Sequence, residues 1–223
     1  MPDHKLPIVV LISGSGSNLQ AIIDAIQAGK LNAEIRAVIS NRPDVMGLQR
    51  ARDAGIETVV LDHKDFADRE SFDNALQQSI DHYQPALVIL AGFMRILTDK
   101  FVNHYTGRML NIHPSLLPDF RGLNTHQRVL EAGCRQHGVT VHFVTNELDS
   151  GPLVIQALID VNSNDTAETL EQRIHEQEHI IYPMAIQWFA EGRLSCNNNQ
   201  VYLDNKLLNH PPRWINNELV NIA

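Results

Sequence analysis

The stretch IVVLISGSGSNLQAIIDAIQAG, residues 8–29, decides the fold class of this chain. A continuous apolar run leads into a glycine-rich turn, and the segment after the turn spaces its apolar residues three and four apart before it ends in glycine. The first pattern is typical of a strand buried on both faces, and the second is typical of an amphipathic helix. We therefore predict a β-strand that passes through a tight turn into an α-helix.

The same alternation recurs along most of the chain. Further β-rich runs lie at 34–40, 57–62, 86–92, 109–113 and 138–144, with helical patterns between them. Strands that alternate with helices predict an α/β fold with a mainly parallel central sheet. In such sheets ligands bind beyond the carboxyl ends of the strands, so polar residues at those ends are the candidates for a functional site.

The C-terminal part of the chain has a different pattern. The longest helical pattern runs from about Thr166 to Gly192, and RLSCNNNQVYLDNKLL, which follows it, predicts a β-hairpin around the asparagine run. With 223 residues and 43% hydrophobic content, the chain can bury one sizeable core. We expect a single domain over 1–207 and a C-terminal tail over 208–223.

Charge and hydropathy exclude several classes of partner. The net charge of −8 and the absence of a Lys/Arg cluster argue against binding to nucleic acid or to an anionic membrane. No run approaches the length of a membrane span, and the first residues lack the pattern of a signal peptide. We expect a cytoplasmic protein with small-molecule substrates, present as a monomer or a weak homodimer.

The glycine-rich turn at 13–18 is a candidate phosphate site. Its glycines permit close approach of the backbone, and the free N–H groups at the start of a helix attract anions. The pattern Gly14-x-Gly16 is equally typical of an ordinary tight turn. A dinucleotide site would need a glycine near Leu19 and an acid after the second strand. Because Arg42 could accept a 2′-phosphate, an NADP oxidoreductase stays an alternative, but a single phosphate fits better.

A candidate catalytic group surrounds the segment MLNIHPSLLP, residues 109–118. Asn111 and His113 are two apart, so on a strand they project from the same face. The Asn111 amide can donate to an oxyanion, and His113 can move a proton near neutral pH, which suits acyl transfer. Asp149 precedes the turn Ser150-Gly151-Pro152, which could bring its carboxylate over the strand ends to orient the imidazole.

The pattern around His113 also bears on the type of mechanism. No serine or cysteine nucleophile stands beside it in a recognisable motif, so we favour direct attack by a substrate amine. Each of the three residues also has an ordinary alternative, in which the asparagine caps a turn, the histidine packs against proline and the aspartate begins a turn.

Five segments together resemble the folate-dependent formyltransferase family. They are VLISGSGSNLQAII, LAGFMRIL, LNIHPSLLP, HFVTNELDSGP and QEHIIYP, in the family's order and spread over nearly the whole chain. The resemblance implies the Rossmann-like formyltransferase fold and formyl transfer from 10-formyltetrahydrofolate to the amine of glycinamide ribonucleotide, a step of purine (IMP) biosynthesis. It also implies that Asn111, His113 and Asp149 are the catalytic trio.

The resemblance further implies two binding regions. Gly16, Ser17 and Asn18 would hold the phosphate of the ribonucleotide, and Glu178 would bind near its ribose or amine. His175 stands where the family pattern has Gln or Lys, and it could donate to the phosphate when protonated. The residues implied for folate binding are Arg69, Met94, Arg95, Ile96, Leu97, Thr145, Asn146, Glu147 and Leu148. The segment DFRGLNTHQ departs from the family pattern at Asp119, Arg121 and Asn124.

Four other functions are alternatives to this one. The motif HEQEH, residues 175–179, satisfies the zinc pattern H-E-x-x-H, but Tyr182 and Ala185 stand where a metzincin needs Gly and His. We expect no metal. A tRNA formyltransferase should carry an added basic domain, and a formyltetrahydrofolate hydrolase an N-terminal regulatory domain without need of the phosphate loop. A non-catalytic nucleotide-binding module would not require the trio to converge.

Overall fold

The computed structural model describes residues 5–220. Within this range the α-helices are α1 (Ser17–Gln27), α2 (Met46–Asp53), α3 (Arg69–His82), α4 (Asp99–His104), α5 (Thr125–Glu131) and α6 (Ala167–Ala190). The strands are β1 (Leu6–Ile12), β2 (Ala33–Ser40), β3 (Thr58–Val60), β4 (Leu87–Leu90), β5 (Met109–His113), β6 (Gln136–Phe143), β7 (Leu153–Asp160), β8 (Leu194–Asn197), β9 (Gln200–Leu203), β10 (Lys206–Leu207), β11 (Arg213–Ile215) and β12 (Glu218–Val220).

Nine of these strands form the central sheet, in the order β12-β11-β7-β6-β5-β4-β1-β2-β3. The first five strands of the chain pair in parallel, whereas β6 runs antiparallel to both of its neighbours, β5 and β7. Strand order reverses at β1, which lies between β4 and β2. The prediction of a mainly parallel α/β sheet is confirmed, and β1 with α1 form the strand and helix expected at residues 8–29.

The apolar run of β1 is buried on both faces of the sheet. Val10 belongs to a core cluster with Leu19 of α1 and Ile174 of α6, while its neighbour Leu11 belongs to a second cluster with Leu76 of α3. Because side chains alternate along a strand, a strand covered by helices on both sides must be apolar throughout.

The last part of the chain forms two β structures. The predicted hairpin is present as a separate antiparallel sheet of β8, β9 and β10. In the segment expected to be a tail, β11 pairs in parallel with β7, and β12 pairs antiparallel with β11 across an Asn216-Asn217 turn. Trp214 packs against the main core cluster, so this segment continues the central sheet. The division at residue 207 remains a prediction.

The helices also bear on the class of protein. None of those within residues 5–220 combines the length and the apolar character needed to cross a bilayer.

Candidate active site

Strand β5 places Asn111 and His113 on one face of the sheet, near the carboxyl ends of β4 and β5. Asn111 lies opposite Leu90, the last residue of β4, and His113 is the last residue of β5. On the other side β6 pairs with β5, so that His142 is opposite Asn111 and Thr140 is opposite His113. Both predicted residues therefore face the same space.

Asp149 completes the predicted trio from the loop between β6 and β7. Its Oδ2 atom lies 3.4 Å from His113 Nδ1, and both side chains are buried, with residue exposures of 8% for Asp149 and 6% for His113. The other ring nitrogen, Nε2, is 3.0 Å from the carbonyl oxygen of Phe120. Since both neighbours are acceptors, only the doubly protonated imidazole donates to both. A substrate atom that binds at Nε2 must displace the Phe120 carbonyl.

A fourth residue, His142, joins the trio and was not found from the sequence. Its Nδ1 lies 2.9 Å from the carbonyl of Phe143 and its Nε2 lies 3.1 Å from Asn111 Nδ2. Burial lowers the pKa of His142 to about 4, so the ring is neutral near pH 7. The neutral ring donates from Nδ1 and accepts at Nε2. This arrangement assigns the Asn111 amide nitrogen toward His142, and one N–H of that amide stays free for a ligand.

The turn after β5 is fixed by a buried polar network. Thr140 Oγ1 donates to the carbonyl of Ser115 at 2.7 Å and accepts from the Leu117 amide at 3.1 Å. Gln156 Nε2 donates to the Leu117 carbonyl at 2.9 Å. A satisfied network of this kind holds the backbone in one arrangement, so the position of the turn relative to His113 is fixed.

The segment that follows this turn contacts the trio directly. The Gly122 amide donates to Asp149 Oδ2 at 2.9 Å. Arg121, one of the departures from the family pattern, forms an ion pair of 2.8 Å with Glu147 of the loop that carries Asp149. The two loops are therefore joined at the Asp149 carboxylate and at Glu147, two residues before it.

The candidate phosphate loop is open at its backbone. Gly16 has a left-handed backbone with φ of 71° and precedes the first residue of α1, Ser17. Within residues 5–220 the amides of Ser15, Gly16, Ser17 and Asn18 have no hydrogen-bond acceptor. Free amides at the positive end of a helix attract an anion, which agrees with the predicted use of Gly16, Ser17 and Asn18.

The structure brings Asn18 and Glu178 together. Asn18 Nδ2 donates to Glu178 Oε2 at 2.7 Å, while Asn18 Oδ1 is buried without a partner in the described residues. Burial raises the pKa of Glu178, which is only 4% exposed. His175 lies one turn earlier on α6, with a partly exposed ring 3.9 Å from Glu171. Among the described residues it makes no hydrogen bond or ion pair with the phosphate loop.

The predicted folate residues form two exposed borders of the cleft. On one border Met94 and Ile96 are exposed, and the Met94 amide donates to the buried Ser13 hydroxyl at 2.8 Å. Arg95 stacks on the Phe72 ring at 4.3 Å, while Leu97 packs into the second core cluster. On the other border Leu148 is exposed beside Asp149.

The remaining folate candidates also lie at the surface. Thr145 Oγ1 is 3.4 Å from the Glu147 carbonyl oxygen, Asn146 is exposed, and Arg69 is exposed in the first turn of α3. The contacts of these residues within the protein do not identify a ligand, so their role in folate binding stays a prediction.

Two other features compete with this cleft as functional sites. A groove of about 760 Å³ runs between α1 and α6 and reaches the phosphate loop only at Ser17. We place the site at the trio because converging hydrogen-bonding groups, not the size of a recess, perform chemistry. In HEQEH the rings of His175 and His179 stack 6.2 Å apart, and the described residues hold no group of three or more His, Cys, Asp or Glu side chains that could bind a metal ion.

The chemistry of the cleft follows from these groups. Asn111 offers an N–H, His113 an imidazole that can exchange a proton, and Asp149 a carboxylate, all at the sheet edge that also carries the candidate phosphate loop. Such an arrangement stabilises an oxyanion and exchanges a proton with an attacking or leaving amine.

The chain matches a known protein family and a relative in Escherichia coli. Residues 6–186 match the family described as formyl transferase. The chain is 53% identical to phosphoribosylglycinamide formyltransferase of Escherichia coli K12 over 206 aligned residues. The alignment covers 92% of this chain and 96% of that protein.

Solved structures show the same likeness. The phosphoribosylglycinamide formyltransferase of Coxiella burnetii is 60% identical, with a TM-score of 0.89 over 92% of this chain and 96% of that one. Glycinamide ribonucleotide transformylase 1 of Symbiobacterium toebii is 44% identical, with a TM-score of 0.87 over 91% of this chain and 95% of that one.

Proposed function

Because this chain belongs to the formyl transferase family, we propose that it transfers the formyl group of 10-formyltetrahydrofolate to the amine of glycinamide ribonucleotide. The products are formylglycinamide ribonucleotide and tetrahydrofolate, and the step belongs to purine nucleotide (IMP) synthesis. The observation that carries the proposal is the convergence of Asn111, His113 and Asp149 at the strand ends.

The reaction proceeds by direct attack of the ribonucleotide amine on the formyl carbon. The formyl oxygen becomes an oxyanion, which the free N–H of Asn111 and a protonated His113 stabilise. The bond from the formyl carbon to N10 of the folate then breaks, and His113 supplies the proton that N10 needs to leave. The attacking amine loses a proton, and Asp149, whose carboxylate lies 3.4 Å from the His113 ring, helps this transfer directly or through a water molecule.

The ribonucleotide binds along the first helix of the chain. Its phosphate takes the free amides of Gly16, Ser17 and Asn18, and Glu178 contacts its ribose or amine. The Asn18 oxygen without a partner and the buried Glu178 carboxyl support this placement, because both are polar groups that a ligand can satisfy. His175, one turn before Glu178 on α6, would donate to the bound phosphate when it is protonated.

The folate binds between the two exposed borders of the cleft. Backbone groups and apolar side chains of Met94, Arg95, Ile96 and Leu97 line one side of its pocket. The loop from Thr145 through Asn146, Glu147 and Leu148 covers the pterin, and Arg69 faces the glutamate tail. The exposed apolar side chains at both borders support this assignment, because they are the surface that a flat ring system would cover.

The proposal also includes the location, the metal requirement and the oligomeric state of the protein. The protein acts on small molecules in the cytoplasm, needs no metal, and is a monomer or a weak homodimer.

Turnover of 10-formyltetrahydrofolate by the purified protein tests the proposal. The absorbance of the folate is followed with and without glycinamide ribonucleotide, and each reaction is repeated with a metal chelator. We expect folate loss that requires the ribonucleotide and is unchanged by the chelator. Folate loss without the ribonucleotide would indicate a hydrolase, and loss that the chelator stops would indicate a metal enzyme; either result would reject the proposal.

A further inference from the structure

Helix α2 packs directly on the phosphate loop. The Gly47 amide donates to the Gly14 carbonyl at 3.0 Å. A Cβ atom on Gly16 would lie 2.6 Å from Gly47 Cα, and one on Gly47 would lie 2.6 Å from Ile12 Cδ1. Gly16 therefore excludes a side chain, a side chain at Gly47 would require Ile12 to move, and the loop rests against the first turn of α2.

One side chain of α2, Arg50, holds the next carbonyl of the loop. Its Nε donates to the Ser15 carbonyl at 2.9 Å, and its Nη1 donates to Gln20 Oε1 at 3.2 Å. Gln20 is oriented in turn, since its Nε2 donates to Asp24 Oδ1 at 2.8 Å. Arg50 thus connects three elements, namely α2, the loop and the first turns of α1.

These two contacts decide where the loop amides point. A peptide group is planar and trans, so the carbonyl of one residue and the amide of the next point in opposite directions. Because the carbonyls of Gly14 and Ser15 both face α2, the amides of Ser15 and Gly16 face away from it. Neither amide has an acceptor within residues 5–220. The contacts from α2 therefore present these donors to an anion.

The charge of Arg50 is not paired with a carboxylate among the described residues. Its hydrogen-bond partners are uncharged, and no carboxylate of the described residues lies within 4.0 Å of its guanidinium group. Arg52, on the same helix, carries the same charge but has a different environment. It is exposed and makes no side-chain hydrogen bond or ion pair within residues 5–220.

We propose that Arg50 is a positioning residue for the ribonucleotide phosphate, which it serves by fixing the Ser15 carbonyl so that the Gly16 amide of the same peptide group faces the ligand. The proposal rests on the proposed function, because it assumes that the loop binds the phosphate of glycinamide ribonucleotide. A guanidinium group can hold Ser15 and Gln20 at once, whereas a lysine ammonium on a flexible stem lacks the planar fork that this arrangement uses.

Steady-state kinetics of Arg50→Ala, Arg50→Lys and the matched control Arg52→Ala test this role. We expect Arg50→Ala to raise KM for the ribonucleotide about tenfold, as for the loss of one hydrogen bond to a charged group, with kcat and KM for the folate nearly unchanged. Inhibition by inorganic phosphate should weaken by a similar factor. Arg50→Lys should show most of the same increase in KM for the ribonucleotide, and Arg52→Ala should resemble the wild type.

Three results would overturn the positioning role. Full recovery in Arg50→Lys would mean that charge alone matters, and equality of Arg50→Ala with Arg52→Ala would mean that the contact has no effect. A loss in Arg50→Ala that falls equally on kcat and on both KM values would indicate general damage to the fold. Wild-type protein without ribonucleotide-dependent turnover would overturn the proposed function together with this inference, so the two failures are distinguishable.

Discussion

The two ends of the cleft differ in the groups that face a ligand, which are side chains at one end and backbone amides at the other. In the proposed function, side chains perform the chemistry at the formyl end, and each has a partner that fixes it: Asp149 lies beside His113, and His142 contacts Asn111. At the phosphate end the proposed binding groups are backbone amides, and the residues that matter are those that shape the backbone, such as Gly16 and Arg50. Replacing a side chain should therefore abolish chemistry at one end and weaken binding at the other.

The largest effect should come from the imidazole and its carboxylate. We expect His113→Ala or Asp149→Asn to lower kcat by about 10²–10⁴-fold, the range for general acid–base groups. Stopped-flow measurement of folate turnover gives kcat directly. Activity within a few fold of the wild type in either variant would remove that residue from the chemistry.

The oxyanion contact should be the next largest. We expect Asn111→Ala to lower kcat by about 10²–10³-fold, because a donor that acts on the developing charge is lost. The loss should fall on kcat more than on KM for either substrate, which initial-rate kinetics over both substrates resolves. A change confined to KM would show that Asn111 binds the ground state instead.

The contact between His142 and Asn111 should have a smaller effect, because His142 acts through its neighbour. We expect His142→Phe, which fills the space but cannot accept a hydrogen bond, to lower kcat by up to about 10²-fold. His142→Gln should recover much of that loss, since its amide oxygen can accept from Asn111. If both variants lose the same activity, the hydrogen bond is not what matters.

At the phosphate end the effect should appear in binding. We expect Asn18→Ala to raise KM for the ribonucleotide by roughly tenfold and Ser17→Ala by less, with kcat changed little in both. The backbone amides remain in each variant, which limits the loss. Unchanged affinity in both variants would argue against the phosphate loop.

The smallest effect concerns stability rather than activity. Burial lowers the pKa of His137 to about 4, so the unfolded chain takes up a proton at a higher pH than the folded chain does. Stability should therefore fall as the pH drops below about 6.5, by up to about 1.4 kcal/mol per pH unit for this group. Urea unfolding of the wild type and of His137→Gln at several pH values measures the difference, and identical slopes would contradict it.

Most of the fold could be predicted from the sequence because its signals are local. The buried strands read as apolar runs, and the longer helices show their spacing over several turns. Helix α4 and strands β11 and β12 were not predicted, since they have six, three and three residues. Helix α4 is too short to show a clear helical period, and β11 depends on distant packing of Trp214 and on pairing with β7.

The site was predictable where residue type reveals the chemistry. Asn111, His113 and Asp149 stand in motifs whose letters suggest their roles. His142 was missed, although its position opposite Asn111 follows from the register of β5 and β6, because a histidine inside an apolar run resembles a core residue. Arg50 was missed because its partner is a carbonyl group, which every residue possesses and no sequence pattern displays.

The most direct test of this division is calorimetric binding of glycinamide ribonucleotide to wild type, His113→Ala and Asn18→Ala. The account predicts that His113→Ala, although nearly inactive, binds the ribonucleotide within about twofold of the wild type, while Asn18→Ala binds it roughly tenfold more weakly. Equal weakening in the two variants would contradict the separation of chemistry from phosphate binding.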